Sequence, residues 1–146
     1  YETAFAAMPL LVTFIPMLTD TGGNAGSQSS TLIIRGMAVS EIHPKNLPQV
    51  VWKELRVSVL VGLVLSVVNF IQLAIRYPGN ELVALTVVLS LFATVVIAKT
   101  VGCVLPILAK MCHADPAIMA APLITTVVDA FALIIYFSLA QRLLGL

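Results

Sequence analysis

The segment Pro116–Leu146, PAIMAAPLITTVVDAFALIIYFSLAQRLLGL, decides the fold. It is almost wholly apolar and longer than the about 20 helical residues that cross a bilayer's hydrocarbon core. Its carboxylate, Asp129, lies roughly 20 Å along the helix from Pro116, which places it near the midplane. A charge at that depth is costly unless it faces water or protein, so Asp129 is the leading functional residue. At 100° per residue, Pro122, Thr125, Thr126, Ala132, Tyr136 and Ala140 share its side, while Ile124, Val128, Phe131, Ile134 and Ile135 are expected to point away. Backwards from Asp129 at steps of four, Thr125, Ala121 and Ala117 form a shallow groove that a partner helix or a file of water can enter. The alternative is an Asp bonded to a neighbouring helix purely for packing.

Composition carries the membrane assignment to the whole chain. Of 146 residues, 60% are hydrophobic and 10% charged, with a mean hydropathy of +1.05, against about 25% charged in a soluble domain. The net charge of +1, without interleaved basic and aromatic residues, excludes a nucleic-acid partner. Cys103 and Cys112 have neither metal-site spacing nor a disulfide framework and read as buried thiols. The opening Tyr1-Glu2 has no initiating Met and no basic leader, so the chain reads as a piece of a longer protein.

Four spans are expected, at roughly 3–38, 53–76, 82–109 and 116–144, in one all-α transmembrane domain covering 1–146. The first is too long for an ordinary span and carries Asp20 and a polar, glycine-rich run, Thr21–Ser30, in its middle. It is therefore predicted to be broken or strongly bent there, with free carbonyls available as cation ligands. Gly22, Gly26 and Ser30 recur every fourth residue, so close helix packing is the alternative. In the second span Asn69 and Gln72 are expected to hydrogen-bond a neighbouring helix. In the third, Lys99 is expected to snorkel toward Lys110, with the polar interior as the alternative. Asp115-Pro116 reads as a helix cap and start.

Arg35, Lys45, Lys53, Arg56 and Lys110 outnumber Arg76 and Arg142, so the 39–52 and 110–115 loops are expected in the cytoplasm, with Trp52 at interface depth. Both chain ends then lie outside, and one further span is expected upstream.

Pro16 followed by Thr21-Gly22-Gly23-Asn24-Ala25-Gly26-Ser27-Gln28-Ser29-Ser30-Thr31, together with Pro122-Leu123-Ile124-Thr125-Thr126-Val127-Val128-Asp129, resembles the MgtE family of magnesium channels over essentially the whole chain. The resemblance implies a homodimer of five-helix protomers, the last four helices being present here. It implies a pore on the dimer axis between the first and last spans of this chain, an Asp at position 129 holding a hydrated Mg²⁺, and cytosolic magnesium-sensing domains with paired CBS modules. Some members carry Asn where this chain has Ala121, and Gly where it has Asp20.

Mg²⁺ prefers octahedral oxygen coordination and sheds water reluctantly, so a selective pore offers few direct ligands and room for the hydrated ion. On this reading Asp129 binds through water and Thr125 offers its carbonyl or hydroxyl. Backbone oxygens near Ala121 and Gly22 join it, Asn24 shapes the cytoplasmic half, and Asp20 draws cations to the entrance. The expected function is Mg²⁺ transport in a bacterial inner membrane, with Mg²⁺ as cargo and no enzymatic activity. The alternatives are a proton-coupled or broader divalent-cation carrier, and a purely structural membrane subunit. Asp20-Thr21-Gly22 also spells the aspartic-protease triplet, with Asp129 as a second acid, but the Gly-x-Gly-Asp of intramembrane aspartyl proteases does not occur. Softer metals recruit His or Cys, which the Asp129 face lacks.

Overall fold

A computed structural model describes residues 9–119 and 121–145; the first residues of the expected 3–38 span lie outside them. Among the described residues the chain is helical, without strands. A helical turn, Pro9–Val12, is followed by α1, Ile15–Ala38; α2, Leu47–Arg76; α3, Glu81–Met111; and α4, Ala121–Leu144. Short 3₁₀ turns, Pro44–Asn46 and Pro116–Met119, lead into α2 and α4. The segments around α2, α3 and α4 are long and apolar enough to cross a membrane, and the chain is a multi-pass membrane protein.

The hub is α3. More than half of its apolar window is buried (56%) against 17% for α2, and α1, α2 and α4 all pack on it. Ile33, Cys103 and Ile107 gather with Ile42, Leu47 and Val50 at one end of the bundle. Phe14, Leu73, Tyr77 and Val83 gather at the other, where the Phe14 and Tyr77 rings meet edge-on at 5.7 Å. The helices therefore run alternately up and down, and the Arg76–Glu81 connection is tight, with Gly79 at φ +85°.

The glycine-rich run does not break the helix. The chain stays α-helical from Ile15 to Ala38, and the interruption lies upstream at Thr13–Phe14. Proline is the cause: Pro16 lacks the N–H that would continue the ladder and its ring crowds the preceding turn. The break exposes the Leu11 carbonyl, and Tyr136 of α4 donates its hydroxyl to it at 2.9 Å.

The glycines serve close approach instead. A Cβ on Gly22 would press on Thr94 and Val128, one on Gly26 would meet Ile124 and the Ala98 carbonyl, and one on Gly102 would collide with the Gly26 backbone. Here α1 and α3 touch main chain to main chain.

Helix α2 begins at Leu47, ahead of the expected 53–76 span, and Pro44 and Pro48 occupy first-turn positions where a missing N–H costs nothing. Three further expectations are corrected. Lys99 does not snorkel. Met111, where α3 ends, is roughly 18 Å away at 1.5 Å per residue, beyond a lysine's reach, and an inward carboxylate is closer: Lys99 pairs with Glu54 of α2 at 2.9 Å. Asn69 donates to its own helix, at the Leu65 carbonyl (2.8 Å), and Gln72 is exposed; Ser66 makes the interhelical bond, to the Val88 carbonyl at 3.1 Å. Cys103 is buried as expected, but Cys112 is exposed because it caps the end of α3. The Asp115 cap forms, its carboxylate accepting the Ala117 N–H at 2.9 Å.

Candidate functional site

The inner face of α1 is small and apolar: Leu18, Gly22, Gly26, Ser29, Ile33 and Gly36 are buried. Its opposite face carries Pro16, Asp20, Asn24, Gln28, Thr31 and Arg35, all exposed. The spacing of three and four residues makes this a single stripe along the helix. Among the described residues α1 is not one of the helices apolar enough to cross a membrane, and it packs on α3 and α4, which are; a polar stripe of this kind is costly against lipid.

Beside it lies α4. Its buried ridge is Ile124, Val128, Ala132, Tyr136 and Ala140. The expected division of that helix is thus corrected. Ile124 and Val128 point into α1, because the Gly22 and Gly26 hollows accept their branched side chains. Ala132, Tyr136 and Ala140 are core, while Thr125 and Asp129 sit half-buried at the edge of the packed face.

That edge and the α1 stripe enclose a groove of about 350 Å³, lined by Pro16, Thr19, Asp20, Gly23, Asn24, Thr125 and Asp129. A second hollow, about 580 Å³, continues it along Asn24, Ser27, Gln28, Thr31 and Leu32, and Asn24 belongs to both. Among the described residues the buried Ser27 Oγ has no hydrogen-bond partner, and Ser27 lines this polar channel.

The donor set is all oxygen, apart from the Asn24 amide nitrogen. Thr125 Oγ1 donates to the Pro122 carbonyl at 3.0 Å, and Thr19 Oγ1 to the Ile15 carbonyl at 3.1 Å. With their protons turned back into the helices, both hydroxyls present lone pairs to the groove. Two carboxylates, two such hydroxyls and one amide oxygen suit a hard cation, and no cationic side chain lines the space. Among the described residues no three His, Cys, Asp or Glu side chains cluster as a metal centre.

Of the residues singled out from sequence, Asp20, Asn24, Thr125 and Asp129 converge here. Gly22 does not; its Cα faces Thr94 and Val128, and Gly23 is the glycine on the groove, where a Cβ would meet Thr125 at 3.0 Å. Ala121 is exposed in the first turn of α4, outside the groove lining. Sequence reasoning missed Thr19 and Gly23, although the spacing from Pro16 through Thr19 and Asp20 to Gly23 and Asn24 is the helical signal that finds them.

The sequence profile of MgtE, described as a divalent cation transporter, matches residues 15–139, from the start of α1 almost to the end of α4. The chain belongs to the MgtE family. It is 37% identical over 140 residues to the magnesium transporter MgtE of Bacillus subtilis, covering 96% of this chain and 31% of that protein. Identity to the magnesium transporter MgtE of Thermus thermophilus is 37% over 145 residues, 99% of this chain and 32% of the relative. The chain is also 26% identical over 141 residues to the magnesium transporter MgtE of Enterococcus faecalis, covering 97% of this chain and 31% of that relative. The chain thus spans about a third of the length of these relatives.

Proposed function

We propose that this chain is the conducting membrane part of a magnesium transporter. One observation carries the reading: α1 exposes Asp20, Asn24, Gln28 and Thr31 in line, next to Asp129 of α4, on a helix packed against the long apolar α3 and α4. A single copy leaves that stripe to lipid; a second copy across a twofold axis converts it into the wall of a water-filled path. Two Asp129 carboxylates then face one hydrated divalent ion, with Thr125 and Asn24 orienting its water and Asp20 raising the local cation concentration at the outer mouth.

The membrane is the cell's inner membrane. The 39–52 and 110–115 segments lie on the cytoplasmic side, where Arg35, Lys45, Lys53, Arg56 and Lys110 collect, and both ends of the chain lie outside. Cytosolic regulatory domains belong to the full-length protein, whose relatives are about three times longer. Its role is transport, not peptide hydrolysis: the Asp20 and Asp129 carboxylates share a groove open to cations within a family of divalent cation transporters.

The test is Mg²⁺ influx into liposomes holding a Mg²⁺-sensitive dye, comparing the full-length protein with Asp129→Asn. Asn keeps the volume and removes the charge. Loss of flux in a protein that remains folded and dimeric supports the reading; unchanged flux makes Asp129 a packing residue and moves the ion path to Asp20 and Asn24, and no Mg²⁺ flux through the unaltered protein contradicts the transport reading. If uptake by the unaltered protein requires a proton gradient and Asp129→Asn abolishes it, the protein is a carrier.

A further inference from the structure

The charged groups of the apolar interior are not confined to the groove. Lys99 Nζ lies 2.9 Å from Glu54 Oε1 and donates to Ser29 Oγ at 3.0 Å, and Ser29 Oγ in turn donates to Glu54 Oε1. The side chains are 7% and 15% exposed for Lys99 and Glu54, and Ser29 is fully buried. Three helices meet in this triad: Ser29 of α1, Glu54 of α2 and Lys99 of α3.

Stability does not account for it. Desolvating two charges offsets most of their attraction, and apolar residues of similar volume commonly replace a buried pair without loss. What a directional contact adds is register. On its inner face α1 is in particular need of it. Between the buried Leu18 and Ile33, Gly22 and Gly26 give close approach without side chains of their own, and Ser29 supplies the directional polar contact of that stretch. Ser29 adjoins Gln28 in sequence, about 100° round the helix from it, one in the triad and the other lining the polar channel.

We propose that the Ser29–Glu54–Lys99 triad is a positioning device for conduction, which fixes the rotation of α1 so that Asp20, Asn24 and Gln28 face the ion path opposite Asp129. The proposal rests on the transport reading. None of the three residues lines the groove, so each acts through α1 and none touches the ion.

Two variants of the full-length protein test it in liposomes. Glu54→Leu combined with Lys99→Met removes both charges, leaves no buried charge unpaired, and takes from Ser29 both of its triad bonds. Ser29→Ala keeps the ion pair and cuts only its link to α1. Flux is normalised to folded protein, and the Mg²⁺ to Mn²⁺ flux ratio is read beside it, since a merely structural role changes the amount of folded protein and leaves the ratio alone. Networked groups couple by about 1.4 kcal/mol, a factor of roughly ten. The double variant should therefore lose roughly tenfold in Mg²⁺ flux and shift the ratio, and Ser29→Ala should shift the ratio in the same direction by roughly threefold. Lys99→Arg, which keeps charge and reach, should restore flux to near the unaltered level. A folded double variant with unaltered flux and ratio overturns the proposal; if that variant does not fold, an unaltered ratio in Ser29→Ala overturns it equally. The unaltered protein in the same liposomes separates the two claims: absence of Mg²⁺ flux there defeats the transport reading, whatever the triad variants do.

Discussion

Two neighbouring threonines show how finely position decides chemistry. Thr125 and Thr126 both donate to the Pro122 carbonyl, at 3.0 and 2.9 Å, yet only Thr125 lines the groove with Asp129. Valine keeps the shape of threonine and deletes the oxygen, so Thr125→Val should lower Mg²⁺ flux several-fold, on the order of one lost hydrogen bond to an ion's water, while Thr126→Val should leave flux unchanged. Equal effects would remove Thr125 from the ion path. The glycines differ as sharply: Gly102→Ala drives a Cβ into the Gly26 main chain, which cannot yield as a side chain can. Thermal unfolding should register a loss of about 1–3 kcal/mol or more, and an unchanged Tm would place that crossing elsewhere. Neutralising Lys99 alone, as Lys99→Met, strands the Glu54 carboxylate in a dry site and should cost about 3–5 kcal/mol, visible as poor yield of folded protein. Asp129 stood out in sequence because a midplane charge is costly anywhere but at a wet or partnered site. Glu54 did not, since it follows Trp52 and Lys53 in a polar run and reads as solvated until α3 is seen to bring Lys99 to it.

The helices were legible in the sequence wherever hydropathy alone decides, as in α3 and α4. Helix α1 was not, because Thr21–Ser30 carries two signals that point opposite ways. Its glycines lower helix propensity, yet they also let α3 and α4 come close enough to hold the helix straight through, and tertiary packing prevails over propensity. Proline outweighs glycine as a breaker, so the interruption falls before Pro16. The two ends facing the Lys- and Arg-rich side share a device: α1 is followed by Ser40 at φ 60° and α3 by His113 at φ 59°, with the Glu41 and Ala114 amides reaching back to Gly36 and Ala109 carbonyls at 2.9 Å each. A side chain in that left-handed conformation costs about 1 kcal/mol that glycine does not incur. His113→Gly should therefore raise stability by about 0.5–1 kcal/mol in a thermal melt, and a fall would show that the imidazole is itself bound.

For the whole molecule, α3 as hub leaves α2 outermost, with Leu60, Leu63, Val64, Val67 and Val68 exposed on its flank. That is a lipid-facing helix, and Trp52, the single tryptophan, is 60% exposed near its start with Arg56 over the ring at 6.0 Å. An interfacial tryptophan beside an arginine belongs at the headgroup level. Its fluorescence should be quenched more by shallow than by deep bromolipids, and the reverse would move α2 within the membrane. The exposed faces of α2 and α1 thus have opposite character, apolar on one and polar on the other, and the central claim is that the polar one faces water. Single cysteines in a Cys112→Ser background test it, Cys103 being buried. A water-soluble, charged thiol reagent should modify Asn24→Cys and Gln28→Cys in the membrane-embedded full-length protein much faster than Leu60→Cys and Val64→Cys, and Mg²⁺ should protect position 24. Equal, slow reaction at all four positions would contradict the account, because α1 would then face lipid or protein and the groove would lead nowhere.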